Sequence, residues 1–540
     1  MVYILLKGTN IMLNISSPPI VQIPLVVVVN KDDELLLNSP FTPWYPLLKN
    51  MPWQDYLAIG VMYYNALYHF NTCANKTANN TNTEIIDESK EEAALRILSN
   101  RPTVDKNSPV IYEPEFKTVP YSIVSPSSIA PGIVPFRKDG KKPKCFFAMF
   151  NSFIGTTLMG FPAEPENVHM HLTSNPSFAR VCGFIPKEPG DEYSFKHVPS
   201  LRKIEQFDQI MKEYGLWNLI KINEVRKNLE ENVIEKENVV VGDTTHYHAY
   251  SGFETINYTG EDGKEKKKSQ SKITKNCRCE DQDNCFHPWE LADDGAGTIV
   301  KAYNKFIWGH KASILGLPLQ GIPLDVRCVA DAATHDGQTF FPHMELLFLD
   351  FPELKLWFDF ALYDSACDDK GLKDQFANEF GIELKASLNP RTRKTVTENL
   401  PKGMDRLTPS GNLICNGGFK MDYQGLRLDT EKFIYHAPVN DDNISVCSEC
   451  DNKQSCSPVS DKGRYVTIPF DMMPHIDIDD PPMSKRFKAL MTRRPSVERM
   501  IKQLKCDLSD DRLTKRGNDS FQAHLDKTMI AFHILLRNQR

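Results

Sequence analysis

NVVVGD, residues 238–243, opens the part of the chain whose fold can be read from sequence. Three consecutive valines favour a buried strand, because β-branched side chains fit a pleated surface, and Gly242 and Asp243 follow where such a strand nears its end. Two further runs share the pattern, IPLDVRCVAD at 322–331 and LKLWFDFALYD at 354–364. All three close on an aspartate, and the last leads into the helical segment GLKDQFANEFG and another short apolar strand. Strands feeding helices in this way predict an α/β core.

Upstream of this core, Leu201, Ile204, Phe207, Ile210, Met211 and Tyr214 recur at spacings of three and four after Pro199 and Ser200. That period predicts an amphipathic helix within a helical module covering 141–237. Residues 1–140, rich in Pro, Asn and Thr, include the polar patch NKTANNTNTE at 75–84 and show no sustained period, so no fold is assigned to them. Downstream, turn residues, cysteines and short strands mark 395–485 as a mainly β insertion. Helical spacing then returns at Val497, Met500, Ile501 and Leu504, with Pro495 near the first turn, where proline is tolerated. Glu498 therefore falls near the start of an amphipathic helix, and HLDKTMIAFHILL at 524–536 forms the last one. The core is expected in two parts, 238–394 and 486–540, the first carrying its own insertion at about 250–300.

The 540 residues can bury a sizeable core, and length alone suggests two to four domains. The longest apolar run, Ile20 to Val29, is interrupted by Gln22 and Pro24 and falls far short of the roughly 20 residues of a membrane-spanning helix. No signal peptide is read at the N-terminus, so the expected address is cytoplasmic, with no membrane partner. The formal charge of −6 disfavours nucleic-acid binding over the chain as a whole. Its distribution does not: Lys485 to Arg516 holds 11 Lys or Arg against 4 Asp or Glu, the clearest phosphate-facing stretch.

Metal-assisted phosphoryl chemistry needs hard oxygen ligands, usually carboxylates, around one or two divalent ions. Asp243 and Asp364, each ending an apolar strand, are candidates, although aspartate there is also a common turn residue, as Asp331 illustrates. Arg494, Glu498 and Lys505 add the spacing R-x3-E-x6-K in MTRRPSVERMIKQLK. On one helix Glu498 and Lys505, seven residues apart, would share a face and present a metal-binding carboxylate and a phosphate-binding cation together. A solvated helix face has the same spacing.

Several segments together resemble the DDE transposases of bacterial insertion sequences, in the branch with a Tyr-Arg-Glu-Lys signature. Over roughly 140–540 these are NPSFARVCGF at 175–184, PSLRKIEQF from Pro199, VVVGDTTHYHA, KFIWGHK at 305–311, ATHDGQ at 333–338, YDSACDD at 363–369, SLNPR at 387–391, CNGGFKM at 415–421 and RRPSVERMIKQLK. The resemblance implies an RNase-H-like core with catalytic Asp243, Asp364 and Glu498 holding Mg²⁺ or Mn²⁺, and Arg494 and Lys505 on DNA phosphates. It further implies water-driven cleavage at the element's ends and in-line attack of the resulting 3′-hydroxyl on target DNA. The helical module would bind double-stranded DNA ends, and the protein would act as a homodimer. Met491 stands where the signature has tyrosine, Cys367 where the family usually has an aromatic residue, and Asp359 competes with Asp364 as second ligand. An RNase-H-like nuclease without strand transfer and a domesticated, non-catalytic DNA-binding protein are the alternatives.

Six of the 13 cysteines cluster, which in a long intracellular chain suggests metal ligands more than disulfides. Cys277, Cys279, Cys285 and His287, following the basic run KEKKK at 264–268, form one candidate structural Zn²⁺ site. His436, Cys447, Cys450 and Cys456, with the spacing C-x2-C-x5-C, form the other. Four protein ligands leave no open position, so neither is read as catalytic. His246 and His248 beyond Asp243 either face the carboxylates or line the strand. Trp308, His310 and Lys311 are expected to pack and pair in the sheet, and His335 and Asp336 lie within reach of the site.

Overall fold

The computed structural model describes residues 2–6, 9–13, 45–77, 88–100, 109–119, 129, 143–185, 196–259, 263–302 (except 276, 278 and 283), 305–389, 394–440, 444–460 and 462–539. The apolar run at 20–29, most of the polar patch at 75–84 and the end of SLNPR lie outside these residues. The protein is mixed α/β. A helical unit precedes a central sheet, and further β-rich segments are inserted into and after that sheet.

The helical unit gathers α1 (Leu57–Thr77), α2 (Phe146–Leu158), α3 (Pro165–Ser174), α4 (Pro176–Cys182), α5 (Leu201–Glu213) and α6 (Leu216–Glu230). Its ends follow local chemistry: Asn175 Oδ1 accepts the Phe178 N–H at 3.0 Å ahead of Pro176, and Gly183 closes α4 with φ +104°. The core is aromatic, with Phe146, Phe150, Phe153, Phe207 and Trp217 packed in stacked, edge and tilted contacts. Burying each such side chain contributes on the order of 2–3 kcal/mol.

The central sheet comprises β1 (Val239–His248), β2 (Lys305–Leu317), β3 (Ile322–Cys328), β4 (Phe360–Tyr363) and β5 (Glu383–Ala386) in the order β3-β2-β1-β4-β5. β1, β2 and β3 form an antiparallel meander, whereas β4 and β5 run parallel to β1. Only the end of the LKLWFDFALYD run is strand: Pro352–Leu356 coils into a 3₁₀ turn and extension begins at Phe360. Proline at the start of that turn is the local reason, since its fixed φ suits a helical first position. Between β4 and β5 the chain forms Lys370–Gln375 as helix and Phe376–Phe380 as a π turn. A hairpin, Phe253–Thr259 with Glu265–Ser271, fills part of the insertion between β1 and β2, and Gly297–Ala302 extends the sheet along β2.

The segment after β5 has its own small core around β6 (Asp422–Arg427), β7 (Lys432–His436) and β8 (Tyr465–Pro469), an antiparallel sheet in that order. Three helices then return to the central sheet: α8 (Lys485–Met491), α9 (Ser496–Lys502) and α10 (Asn518–Asn538). α10 joins the two large cores, with Ala523, Ile530, Ala531 and Ile534 in the helical one and Phe521, Leu525 and Met529 in the sheet's. This double contact accounts for its nearly complete burial from Phe521 to Ile534. No helix among the described residues is long and apolar enough to cross a membrane.

Candidate active site and metal-ligand clusters

The parallel pair sets the first geometry. β4 pairs with β1 through Phe360↔Val239, Ala361↔Val240 and Leu362↔Val241. Two residues further along each strand, Asp364 comes beside Asp243. Asp359 lies at the opposite end, its carboxylate accepting from Asn238 Nδ2 at 3.0 Å. The register therefore favours Asp364 over Asp359 as Asp243's neighbour. Asp364 also shapes its own turn, Oδ1 accepting the Ala366 N–H at 2.8 Å. Cys367 packs inward there, completely buried.

α9 supplies the second geometry. Val497 and Met500 bury its inner face on β1 and β2, leaving Glu498 pointing outward with its side chain 66% exposed. Arg494, just before the helix, spans the gap: Nη2 lies 2.7 Å from Asp243 Oδ2 and Nη1 3.5 Å from Glu498 Oε1. Its Nε, buried, has no hydrogen-bond partner. Burial pushes the Asp243 carboxyl up to about 6 against the pull of Arg494 and the Thr244 N–H, and Asp364 and Asp336 push it the same way.

Alternation along β1 puts Thr244 and His246 on the face away from α9. Asp336 approaches from that side. Burial alone would raise its pKa, but Lys311, with Nζ 2.8 Å from Asp336 Oδ1, holds it below its ordinary value, with Thr244 and His246 acting in the same direction. The turn carrying Asp336 packs on the Asp364 turn so closely that a Cβ at Gly337 would stand 2.3 Å from the Ala366 carbonyl oxygen. Asp336 and Lys311 thus belong to the carboxylate group. The ATHDGQ segment was the available signal for the first, whereas nothing in sequence separates Lys311 from a packing residue.

Lys505 is placed differently from the helical expectation. α9 ends at Lys502 and continues as a π turn over Gln503–Asp507, so the seven-residue spacing no longer puts Glu498 and Lys505 on one face. Lys505 Nζ donates to the His246 carbonyl and lies 5.2 Å from the Tyr247 ring centroid. On α9 Arg499 and Lys502 are exposed, as are Lys485, Arg486 and Lys488 on α8, where Arg486 lies 5.3 Å from the centroid of the Phe360 ring at the far end of β4.

In the first cysteine cluster, Cys277 Sγ and Cys285 Sγ are 3.5 Å apart, as are Cys279 Sγ and His287 Nδ1. All four ligand atoms lie within 4.8 Å of one another, so this cluster could hold a metal ion; among the described residues no other set of three or more His, Cys, Asp or Glu converges so tightly. The Asp243, Asp364 and Glu498 oxygens do not converge in this way, and Arg494 bridges two of them. Lys275 braces the cysteine loop, donating to the Cys285 carbonyl at 2.5 Å and sitting 5.0 Å from the Trp289 ring centroid.

The second cluster is only partly assembled as expected. Cys447, Cys450 and Cys456 line one cavity, but His436 does not. Strand alternation is the reason: Phe433 and Tyr435 point into the small core, so His436 faces the other way, against the Tyr465 ring at 4.4 Å. The fourth cysteine at the cavity is Cys415. No family model matches this chain, and no curated protein is similar to it.

Proposed function

We propose that this chain is a DDE-type DNA transposase with an RNase-H-like core, cutting and joining double-stranded DNA at the ends of a mobile element, as a homodimer. The observation that carries the reading is the register of β4 on β1, which sets Asp364 beside Asp243, together with the return of α9 after a long insertion to bring Glu498 to the same place. The strand order, an antiparallel meander extended by two parallel strands, supports the same core.

The donor chemistry fits a hard divalent cation. Four carboxylates, of Asp243, Asp336, Asp364 and Glu498, face, among the described residues, only two close cations, Arg494 and Lys311, so negative charge is left in excess. Asp243, Asp364 and Glu498 would hold Mg²⁺ or Mn²⁺, which supplies, when bound, water activation and charge neutralisation at the scissile phosphate. The chain's own residues do the rest. Arg494 holds Asp243 and Glu498 in relation to each other, Lys311 pairs with Asp336, and the exposed Arg499 and Lys502 of α9 attract the DNA backbone. Zn²⁺ in the Cys277, Cys279, Cys285 and His287 cluster is structural: sulfur separations near 3.8 Å are expected around a tetrahedral ion with bonds of about 2.3 Å.

The test is to incubate the protein with DNA flanking its own gene and Mg²⁺, comparing Asp243→Ala, Asp364→Ala and Glu498→Ala with the wild type. Loss of cleavage in all three supports the reading, and equal cleavage by all four proteins overturns it. Cleavage without strand-transfer products would instead identify a nuclease on the same fold.

A further inference from the structure

We infer that the inserted β domain carries a second zinc site, made by four cysteines, Cys415, Cys447, Cys450 and Cys456, and not by His436. The four belong to two separate pieces of backbone, the Cys415 turn and the Cys447–Cys456 segment, that meet at one cavity of about 20 Å³, room for a single small ion and little more. None of them is in a disulfide.

Each piece is locally built to present sulfur. Cys415 ends the strand Leu413–Cys415 and enters a tight turn in which the Gly418 N–H donates to the Cys415 carbonyl at 2.8 Å and the Cys415 N–H to the Phe419 carbonyl at 3.0 Å. Cys447 is the middle residue of the 3₁₀ turn Val446–Ser448, and its N–H donates to the N-cap Ser445 Oγ at 3.3 Å. Cys450 leads into the short helix that ends at Cys456, the Lys453 N–H donating to its carbonyl at 2.9 Å. Asn452 Nδ2 donates to the Asn416 carbonyl at 3.3 Å, tying the Cys415 turn to the Cys447–Cys456 segment.

Two glycines make the room that the sulfurs occupy. A Cβ at Gly417 would stand 2.9 Å from Cys450 Sγ, and one at Gly403, where φ is +87°, would stand 2.7 Å from Cys456 Sγ. Four thiolates around Zn²⁺ leave a net double negative charge, and the cavity is lined by two cations, Lys453 and Arg464, the latter with Nη1 3.9 Å from Cys456 Sγ. The small core beneath, twelve buried apolar residues among those described, is of a size that a metal staple commonly supports. The sulfurs are set wider here than the ligand atoms of the Cys277 cluster, and binding would draw them together.

The site is separable from the proposed activity and is tested by metal content. Full-length protein grown with zinc should hold about two ions per chain by elemental analysis, and Cys279→Ser should lower this to about one. Cys415→Ser and Cys450→Ser should each also lower it to about one, whereas His436→Ala should leave about two. Loss of an ion in His436→Ala, or full retention in Cys415→Ser, overturns the ligand set. So does a Cys279→Ser protein with no zinc. Because Cys415→Ser could fail to fold, wild-type protein is also alkylated with iodoacetamide before and after chelation. Cys415, Cys447, Cys450 and Cys456 should be protected together until zinc is removed, and equal labelling of Cys415 in both states overturns the site.

Discussion

Two clusters of charge sit on the same sheet and differ in what surrounds them. Behind β3, Asp325 meets Lys221 Nζ at 2.6 Å and Arg327 Nε at 2.6 Å, with His343, Asp350 and Asp526 close by, sealed between α6, α7 (Phe340–Asp350) and α10. Lys221 and Asp325 are at most 1% exposed. Midway along β1, where β4 ends, Asp243, Asp364, Asp336 and Glu498 share, among the described residues, only Arg494 and Lys311, and Glu498 stands in solvent. The first cluster pairs its charges inside the fold. The second leaves carboxylate in excess at a surface flanked by exposed Lys and Arg, which is the arrangement a cation and a phosphate backbone would complete.

The largest effect should come from breaking the sealed cluster. Asp325 accepts from Lys221, from Arg327 and from the Val326 N–H at 2.9 Å, and although burial alone would raise its pKa, Arg327 and Lys221 outweigh that and hold it well below the usual carboxylate range. Asp325→Asn removes the carboxylate that two buried cations share, leaving Lys221 with Asp526 at 3.5 Å and Arg327 with Asp350, a cost of about 3–5 kcal/mol. Urea unfolding should show it, and a loss under about 1 kcal/mol would mean that water already reaches this cluster.

Next in size, and opposite in kind, is the open cluster. Asp243→Asn and Asp364→Asn should lower DNA cleavage by about a hundredfold or more, comparable to losing one preorganised charge-stabilising group. Stability at neutral pH should not fall, because burial and neighbouring carboxylates already push Asp243 up to about 6. Removing that charge relieves repulsion. If Asp243→Asn instead unfolds as readily as Asp325→Asn, the two clusters are of one kind and the contrast fails.

A third effect separates the clusters by pH. His533 on α10 is fully buried, accepting from Asn228 Nδ2 at 3.0 Å and donating through Nε2 to the Pro323 carbonyl at 3.0 Å. Burial pushes its pKa down to about 3, against an unfolded value of 6.5. The unfolded chain therefore binds a proton that the folded one refuses, so stability is complete above pH 6.5 and is lost as pH falls towards 3. By pH 5 this amounts to roughly 2 kcal/mol, which His533→Gln should remove from the difference between pH 7 and pH 5 unfolding midpoints. An unchanged difference would place the acid sensitivity elsewhere.

How much of this was legible follows from which interactions are local. Val239–Val241, the amphipathic α5 and the period of Val497, Met500 and Leu504 declare themselves because each answers to its own neighbours along the chain. The 3₁₀ turn at Pro352–Leu356 was hidden because its apolar residues suit either conformation. His436, expected beside Cys447, Cys450 and Cys456, lies off their cavity because spacing says nothing of strand parity, and Cys415 was not legible there because it reaches the cavity only through the fold of a separate strand. Which of Asp359 and Asp364 lies beside Asp243 was likewise hidden, because register depends on β1, more than 100 residues away.

The smallest effect concerns Lys505, where spacing and structure part. The π turn at Gln503–Asp507 turns its amine towards the His246 carbonyl and the Tyr247 ring, with Asp511 3.9 Å away, and leaves the side chain 18% exposed. Lys505→Met keeps the packing length and loses those polar contacts, at about 1 kcal/mol. If the lysine is occupied in this way, the salt dependence of DNA binding should be unchanged in Lys505→Met. It should weaken by about one unit of slope in Arg499→Ala or Lys502→Ala, whose exposed cations lie on α9 beside Glu498. A slope lowered in Lys505→Met at unchanged stability would return Lys505 to the phosphate-facing group and extend the open cluster along the π turn.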